Sequence, residues 1–148
     1  MRQVLQRVSE ARVRVGEKVV GEIGRGLLVL VGIEAGDGEE QVDAAARTLS
    51  GLRVFEDDAG RMNLDLRAVD GAFLLVSQFT LAGDPLAKGR RPSFDGAAPP
   101  AEAEALFGCL VERLRELGHR VETGEFGAHM AVELVNDGPV TFVWENSP

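Results

Sequence analysis

The sequence predicts a single-domain α+β fold, a mostly antiparallel sheet or barrel-like β half packed with two main helices. Three observations lead there. Four strand-type segments fall within the first 33 residues, two amphipathic helical stripes follow, and the last third returns to short β-type runs. A length of 148 residues suits one domain able to bury a real core.

Residues 2–8 and 11–15 alternate apolar with polar positions. Val4 and Val8, then Ala11, Val13 and Val15 against Arg12 and Arg14, show the period of half-buried strands. Gly16-Glu17 makes a tight turn into a strand over 18–23, giving a hairpin. Gly24-Arg25-Gly26 punctuates again before a wholly apolar strand over 27–33. Neither G-x-G-x-x-G nor G-x-x-x-x-G-K-[ST] occurs here, so these glycines are turn formers and not a nucleotide cradle. Asp37 caps a helix with Glu40 at its third position. Val42, Ala45, Ala46 and Leu49 keep the spacing of three and four, and Gly51 ends it. Residues 52–55 resume as strand, 56–61 form a hydrophilic turn, and Met62-Asn63-Leu64 begins the next apolar segment. The acids Glu56, Asp57 and Asp58 lack the spacing of a calcium loop and read as a solvated turn.

The chain is organised around residues 73–81. The unbroken run Phe73-Leu74-Leu75-Val76 suggests a strand buried on both faces, and it leads directly into Ser77-Gln78-Phe79-Thr80-Leu81. Hydroxyls at a strand end most often bond local backbone, but they also stand where a fold presents groups to a ligand. Residues 82–94 follow as a loop with two prolines and two glycines, long enough to suspect function. It gathers Lys88, Arg90 and Arg91 in an otherwise acidic protein, either as a solubilising loop or as phosphate contacts beside the site. Pro99-Pro100 opens a second helix whose stripe is Ala103, Leu106, Phe107, Leu110, Leu114 and Leu117, and Gly118 ends it. His119 stands at that helix C-terminus, where the dipole favours a cation. Strands over 120–123, 130–135 and 140–144 complete the chain, with His129 just before the second of them.

Composition narrows the function classes. A net charge of −8 argues against broad nucleic-acid binding, DNA included, so any RNA must be held by a small local contact. No apolar segment reaches the ~18 residues that cross a bilayer, and the N-terminus has no signal-peptide core. The single cysteine, Cys109, pairs with nothing internally and reads as a packing residue within the second helix, so the expected compartment is the cytoplasm. Two histidines and one cysteine are too few for a convincing zinc site, and no other metal or cofactor is expected. There is no G-x-S-x-G elbow and no evident Ser-His-Asp set.

Two stretches become specific when taken together. Ser77-Gln78-Phe79-Thr80-Leu81 with Asn136-Asp137-Gly138-Pro139-Val140-Thr141 resembles the two signature motifs of the D-aminoacyl-tRNA deacylases. The resemblance extends over nearly the whole chain, through Gln6-Arg7-Val8, Gly26-Leu27-Leu28-Val29-Leu30, Met62-Asn63-Leu64, Arg91-Pro92-Ser93-Phe94 and Thr123-Gly124-Glu125-Phe126.

That resemblance implies a homodimer in which each Gly138-Pro139 pair, in the cis form, reaches into the partner's site. Cis is accessible because an X-Pro bond pays only about 0.5–1 kcal/mol for it. The Gly138 and Pro139 carbonyls would hold the substrate's amino group and fill the space of an L side chain. A D residue, or glycine, presents only hydrogen there. Arg7 would brace the motif, while Phe126 and Met130 would line the pocket. The implied reaction is hydrolysis of the ester joining a D-amino acid, or glycine mischarged on a non-cognate tRNA, to the terminal ribose. Backbone N–H groups around Phe79 and Thr80 would stabilise the oxyanion. A Thr80 nucleophile would lack an adjacent base. Ser77, Gln78 and Thr80 are therefore read as positioning groups, with the substrate's 2′-hydroxyl helping to activate water. Lys88, Arg90 and Arg91 would contact the acceptor end.

Two other readings stay open on sequence alone. One is a non-catalytic dimeric module that binds amino-acid-like ligands in the same pocket. The other is an editing enzyme whose main target is mischarged glycine.

Overall fold

Period-two alternation along the first fifteen residues forms one unbroken strand, not two. A computed structural model describes residues 1–148, the side chain of Lys88 excepted. Its strands are β1 (Arg2–Val15), β2 (Lys18–Ile23), β3 (Gly26–Gly32), β4 (Phe55–Glu56), β5 (Met62–Leu64), β6 (Ala72–Ser77), β7 (Asp84–Lys88), β8 (Arg91–Ser93), β9 (Val121–Thr123) and β10 (Ala131–Glu145). The helices are α1 (Glu39–Gly51) and α2 (Pro100–Glu116), with a 3-10 turn over Phe79–Ala82.

The main sheet has the order β10-β1-β3-β6-β9, with β2 also paired to β1. Strand β1 is antiparallel to β10, β2 and β3, whereas β3–β6 and β6–β9 are parallel. The parallel pairs follow from the helices. Each returns the chain to the starting end of the sheet before the next strand begins, the crossover that parallel neighbours need. A mostly antiparallel sheet with two helices therefore stands as expected, and it curls into a nearly closed, barrel-like form.

Side chains alternate between two cores. Leu27, Val29, Val31, Phe73 and Leu75 face the helices, joined by Val42, Leu49, Phe107, Leu110 and Leu114. Leu28, Leu74 and Val76 face the other way, toward Val8, Val13 and Ile23 inside the curl. Residues 73–76 are accordingly buried on both faces of the sheet.

Other expectations also need correction. Gly38, not Asp37, is the N-cap of α1. Gln41, not Glu40, occupies the third helical position, and its Oε1 accepts the Gly38 N–H at 2.8 Å. Asp37 is engaged elsewhere, 2.8 Å from the α-ammonium of Met1. Residues 82–94 are not a loop throughout but carry the two-stranded β7–β8 hairpin, Asp84 opposite Ser93 and Lys88 opposite Arg91. The two C-terminal segments are one fifteen-residue strand, β10. Leu117 is 42% exposed and lies off the α2 stripe.

Candidate active site

Because β3, β6 and β9 run parallel, their carboxyl ends meet at one rim of the sheet. Val31 pairs with Ser77, and Thr123 pairs with Leu75 on the other side of β6. The chain leaves the main sheet there, with Glu34 bridging to Ala97, and side chains turn into a cleft, as at the strand ends of open parallel sheets. That cleft has a volume of about 570 Å³ and is mainly apolar. Val31 and Ile33 form its floor. Ser77, Gln78 and Phe79 stand on one side, Phe94 and Asp95 on another, and Phe126 with the start of α2 close it.

Local geometry fixes the rim. The Gln78 N–H donates to Val31 O at 2.7 Å, extending the β3–β6 ladder by one step before the chain turns. The Leu81 N–H then donates to Gln78 O at 3.1 Å, closing the 3-10 turn. A Cβ on Gly32 would stand 2.8 Å from Leu81 Cβ and 2.9 Å from Gln78 O, so the turn packs there only against glycine. Arg2 Nη1 donates to Leu81 O at 3.2 Å, tying the turn to β1. The Gln78 side-chain amide donates to the Thr80 hydroxyl. The N–H groups of Phe79 and Thr80 precede the first internal bond of the turn and are not used inside it. Phe79 is 59% exposed and meets Phe94 edge to face, centroids 5.2 Å apart.

The second motif is a bulge in the middle of β10. Gln6 faces Thr141 and Val8 faces Asn136, so residues 137–140 oppose Arg7 alone. The extra chain is pushed outward, leaving Gly138 and Pro139 exposed with a cis peptide bond between them. Gly138 has φ +137°, a conformation L residues rarely adopt. A Cβ there would also stand 2.7 Å from Val140 Cγ2 and 3.2 Å from Arg7 Nη2. Arg7 is 5% exposed. Its Nε donates to Asp137 O at 3.1 Å and its Nη1 to Val54 O at 2.8 Å. Its guanidinium also lies 3.5 Å from the Asp137 carboxylate and 3.8 Å from that of Glu56.

The structure brings only part of the expected set together. Ser77, Gln78, Phe79 and Phe126 line one cleft, and Thr80 follows on its rim. Arg7, Gly138 and Pro139 form a separate group, and none of residues 136–141 lines that cleft. Met130 is placed otherwise than Phe126. It packs with Val132 and Leu134 against the second core, on the other side of the sheet, while Phe126 packs against Phe107 on the helix side. The Lys88 side chain lies outside the described residues. Arg90 and Arg91 are exposed at the turn of the β7–β8 hairpin, which rises from the cleft rim between Phe79 and Phe94. Phe94, Asp95 and the first turn of α2 were not anticipated as lining groups, although Phe94 closes one of the motif strings above. Val54 acts through its carbonyl, which leaves no mark in the sequence.

Comparison with known proteins adds the decisive observation. The sequence profile described as D-Tyr-tRNA(Tyr) deacylase matches residues 4–145. The chain belongs to the D-Tyr-tRNA(Tyr) deacylase family. Members of this family named D-aminoacyl-tRNA deacylase include one from Geobacter sulfurreducens, 59% identical over 97% of this chain and 93% of its own. Another, from Thermotoga petrophila, is 56% identical over 99% of this chain and 98% of its own. Among solved structures, one titled c-Myc DNA Unwinding Element Binding Protein superposes with a TM-score of 0.91 at 38% identity, covering 100% of both chains. A structure titled as that of a probable eukaryotic D-amino acid tRNA deacylase superposes at 0.85 with 20% identity, over 97% of both chains, and shares the fold.

Proposed function

We propose that this protein hydrolyses the ester of D-aminoacyl-tRNA, releasing free D-amino acid and tRNA, and that it acts as a homodimer. Family membership supports the reaction. The observation that carries the selectivity is the Arg7-braced bulge, which holds Gly138-Pro139 outward and apart from the cleft of its own chain. Such a pair is useful to a cleft on another protomer. The edge strand that bears it leaves Val135 50%, Phe142 44% and Val143 72% exposed, an apolar edge suited to a second copy.

On this reading the ester enters the cleft between the Phe79–Phe94 rim and α2. The Phe79 and Thr80 N–H groups face the developing oxyanion, where losing one donor typically lowers the rate about 10²–10³-fold. Ser77, Gln78 and Thr80 position the ester, and the substrate's 2′-hydroxyl helps to activate water. The partner's Gly-Pro carbonyls take the amino group and occupy the place of an L side chain. Glycine, lacking that side chain, is accepted as well. Lys88, Arg90 and Arg91 meet acceptor-end phosphates, and the single half-buried cysteine suits a reducing cytoplasm.

Incubation with D-tyrosyl-, L-tyrosyl- and glycyl-tRNA tests this. Release of D-tyrosine and glycine but not L-tyrosine is expected. Equal release from the D and L esters would remove the selectivity claim, and no release from any would leave a binding module.

A further inference from the structure

The bulge is braced from two sides, and Arg7 accounts for only one. Arg7 grips the entry at the Asp137 carbonyl. The exit is held by Asn136. Its Oδ1 accepts the Val140 N–H at 3.0 Å, across the Asp137-Gly138-Pro139 segment, while its Nδ2 donates to Thr141 Oγ1 at 3.0 Å. The same hydroxyl accepts from Gln6 Nε2 at 3.3 Å, anchoring the clasp to β1. The Val140 N–H needs an acceptor, which fixes the oxygen end of the amide. Its other end is then a donor, which the Thr141 oxygen satisfies. One side chain thus closes the four-residue bulge at its neck.

We propose that Asn136 is a positioning residue for stereochemical selection, setting the aim of the Gly138 and Pro139 carbonyls without touching substrate. This rests on the selectivity reading above. Val140 is buried, so removing the Asn136 side chain leaves its N–H without a partner and frees the neck to open. Asp at position 136 keeps the acceptor, and its second oxygen can accept from the Thr141 hydroxyl while that hydroxyl still accepts from Gln6.

The test is the ratio of kcat/KM on D-tyrosyl- to L-tyrosyl-tRNA, measured with the denaturation midpoint of each variant. Asn136→Ala is expected to lower the ratio about fivefold to thirtyfold, the span of one or two net hydrogen bonds. Asn136→Asp should restore it to within about threefold. Thr141→Val, an exposed isosteric change that keeps the fold, should lower it in the same direction. An unchanged ratio in both Asn136→Ala and Thr141→Val overturns the proposal, whatever happens to the midpoint. So does failure of Asn136→Asp to restore the ratio. Gly138→Ala separates the two claims. If it leaves the ratio intact, the Gly-Pro reading itself fails. If it removes the ratio while the Asn136 and Thr141 variants do not, only the positioning role falls.

Discussion

Thr80 shows how much a side chain's company decides its role. Its hydroxyl has the Gln78 amide as donor beside it. The chain has only two histidines that could serve it as a base. His119 is bonded to Ser50 at the far end of the helices, and His129 lies before β10. On the proposed reading such a hydroxyl orients the substrate, since without an adjacent base it is a weak nucleophile. Thr80→Ala should therefore lower kcat/KM by about tenfold, near the value of one hydrogen bond, and leave measurable turnover. Initial rates on D-tyrosyl-tRNA check this. Complete loss, together with an acyl-enzyme trapped on the wild type and seen by mass spectrometry, would make Thr80 the nucleophile. At this scale the sequence was readable where residue type alone sets the backbone, as for Gly138 at its positive φ and for a buried strand that ends on the Ser77 hydroxyl. It was not readable where partners come from backbone or from distant chain. Asp37 is claimed by the Met1 ammonium and Glu34 N–H instead of the helix, and Arg7 by a carbonyl 47 positions away.

Among elements, the junction of α1, α2 and β6 is where acid should act first. His119 is buried at the end of α2, its Nε2 2.7 Å from Ser50 Oγ and its ring edge-on to Phe73 at 5.1 Å. The helix dipole alone would favour its charged form. Burial outweighs it and, with the Arg67 guanidinium nearby, holds the imidazole pKa below the ordinary value, Asp65 opposing only in part. Between that lowered pKa and about 6.5 the unfolded chain binds the extra proton and the native one does not. Stability from this group is thus complete above about pH 7, falls as pH drops through that window, and levels off below the native value. Urea midpoints between pH 7.5 and 5 should decline, and His119→Gln should flatten the decline. An equal slope in that variant would assign it to other groups. The helices themselves were legible because a stripe at three-four spacing has no strand equivalent. The β7–β8 hairpin was not, since Pro85 and Pro92 suit a strand only where an edge is free of partners, as in this two-stranded ribbon. Strand β10 was divided in two because Asn-Asp-Gly-Pro reads as a turn. Pairing with β1 on both sides carries the strand straight through it.

For the whole molecule, charge limits how it meets RNA. A chain of net charge −8 must rely on a few cations, and Arg90 and Arg91 project at the hairpin turn without an ion pair among the described residues. The five-residue strand from Asp84 to Lys88 spans roughly 13 Å, and on the proposed reading its turn meets acceptor-end phosphates. A footprint of three phosphates implies a slope of about −2 to −3 in log Kd-derived affinity against log salt. Titration of D-aminoacyl-tRNA binding at several salt concentrations measures it, and a slope of about −6 or steeper would demand a much larger contact.

Strand β10 carries the outward-held pair at its middle and the bare apolar residues Val135, Phe142 and Val143 on either side. On the proposed reading, whatever parts two protomers withdraws the stereochemical gate from both chambers at once. Each chamber then also loses the carbonyls that anchor the incoming amine. Dilution would silence the enzyme before it could make it careless, so errors of handedness would not accumulate as copies become scarce.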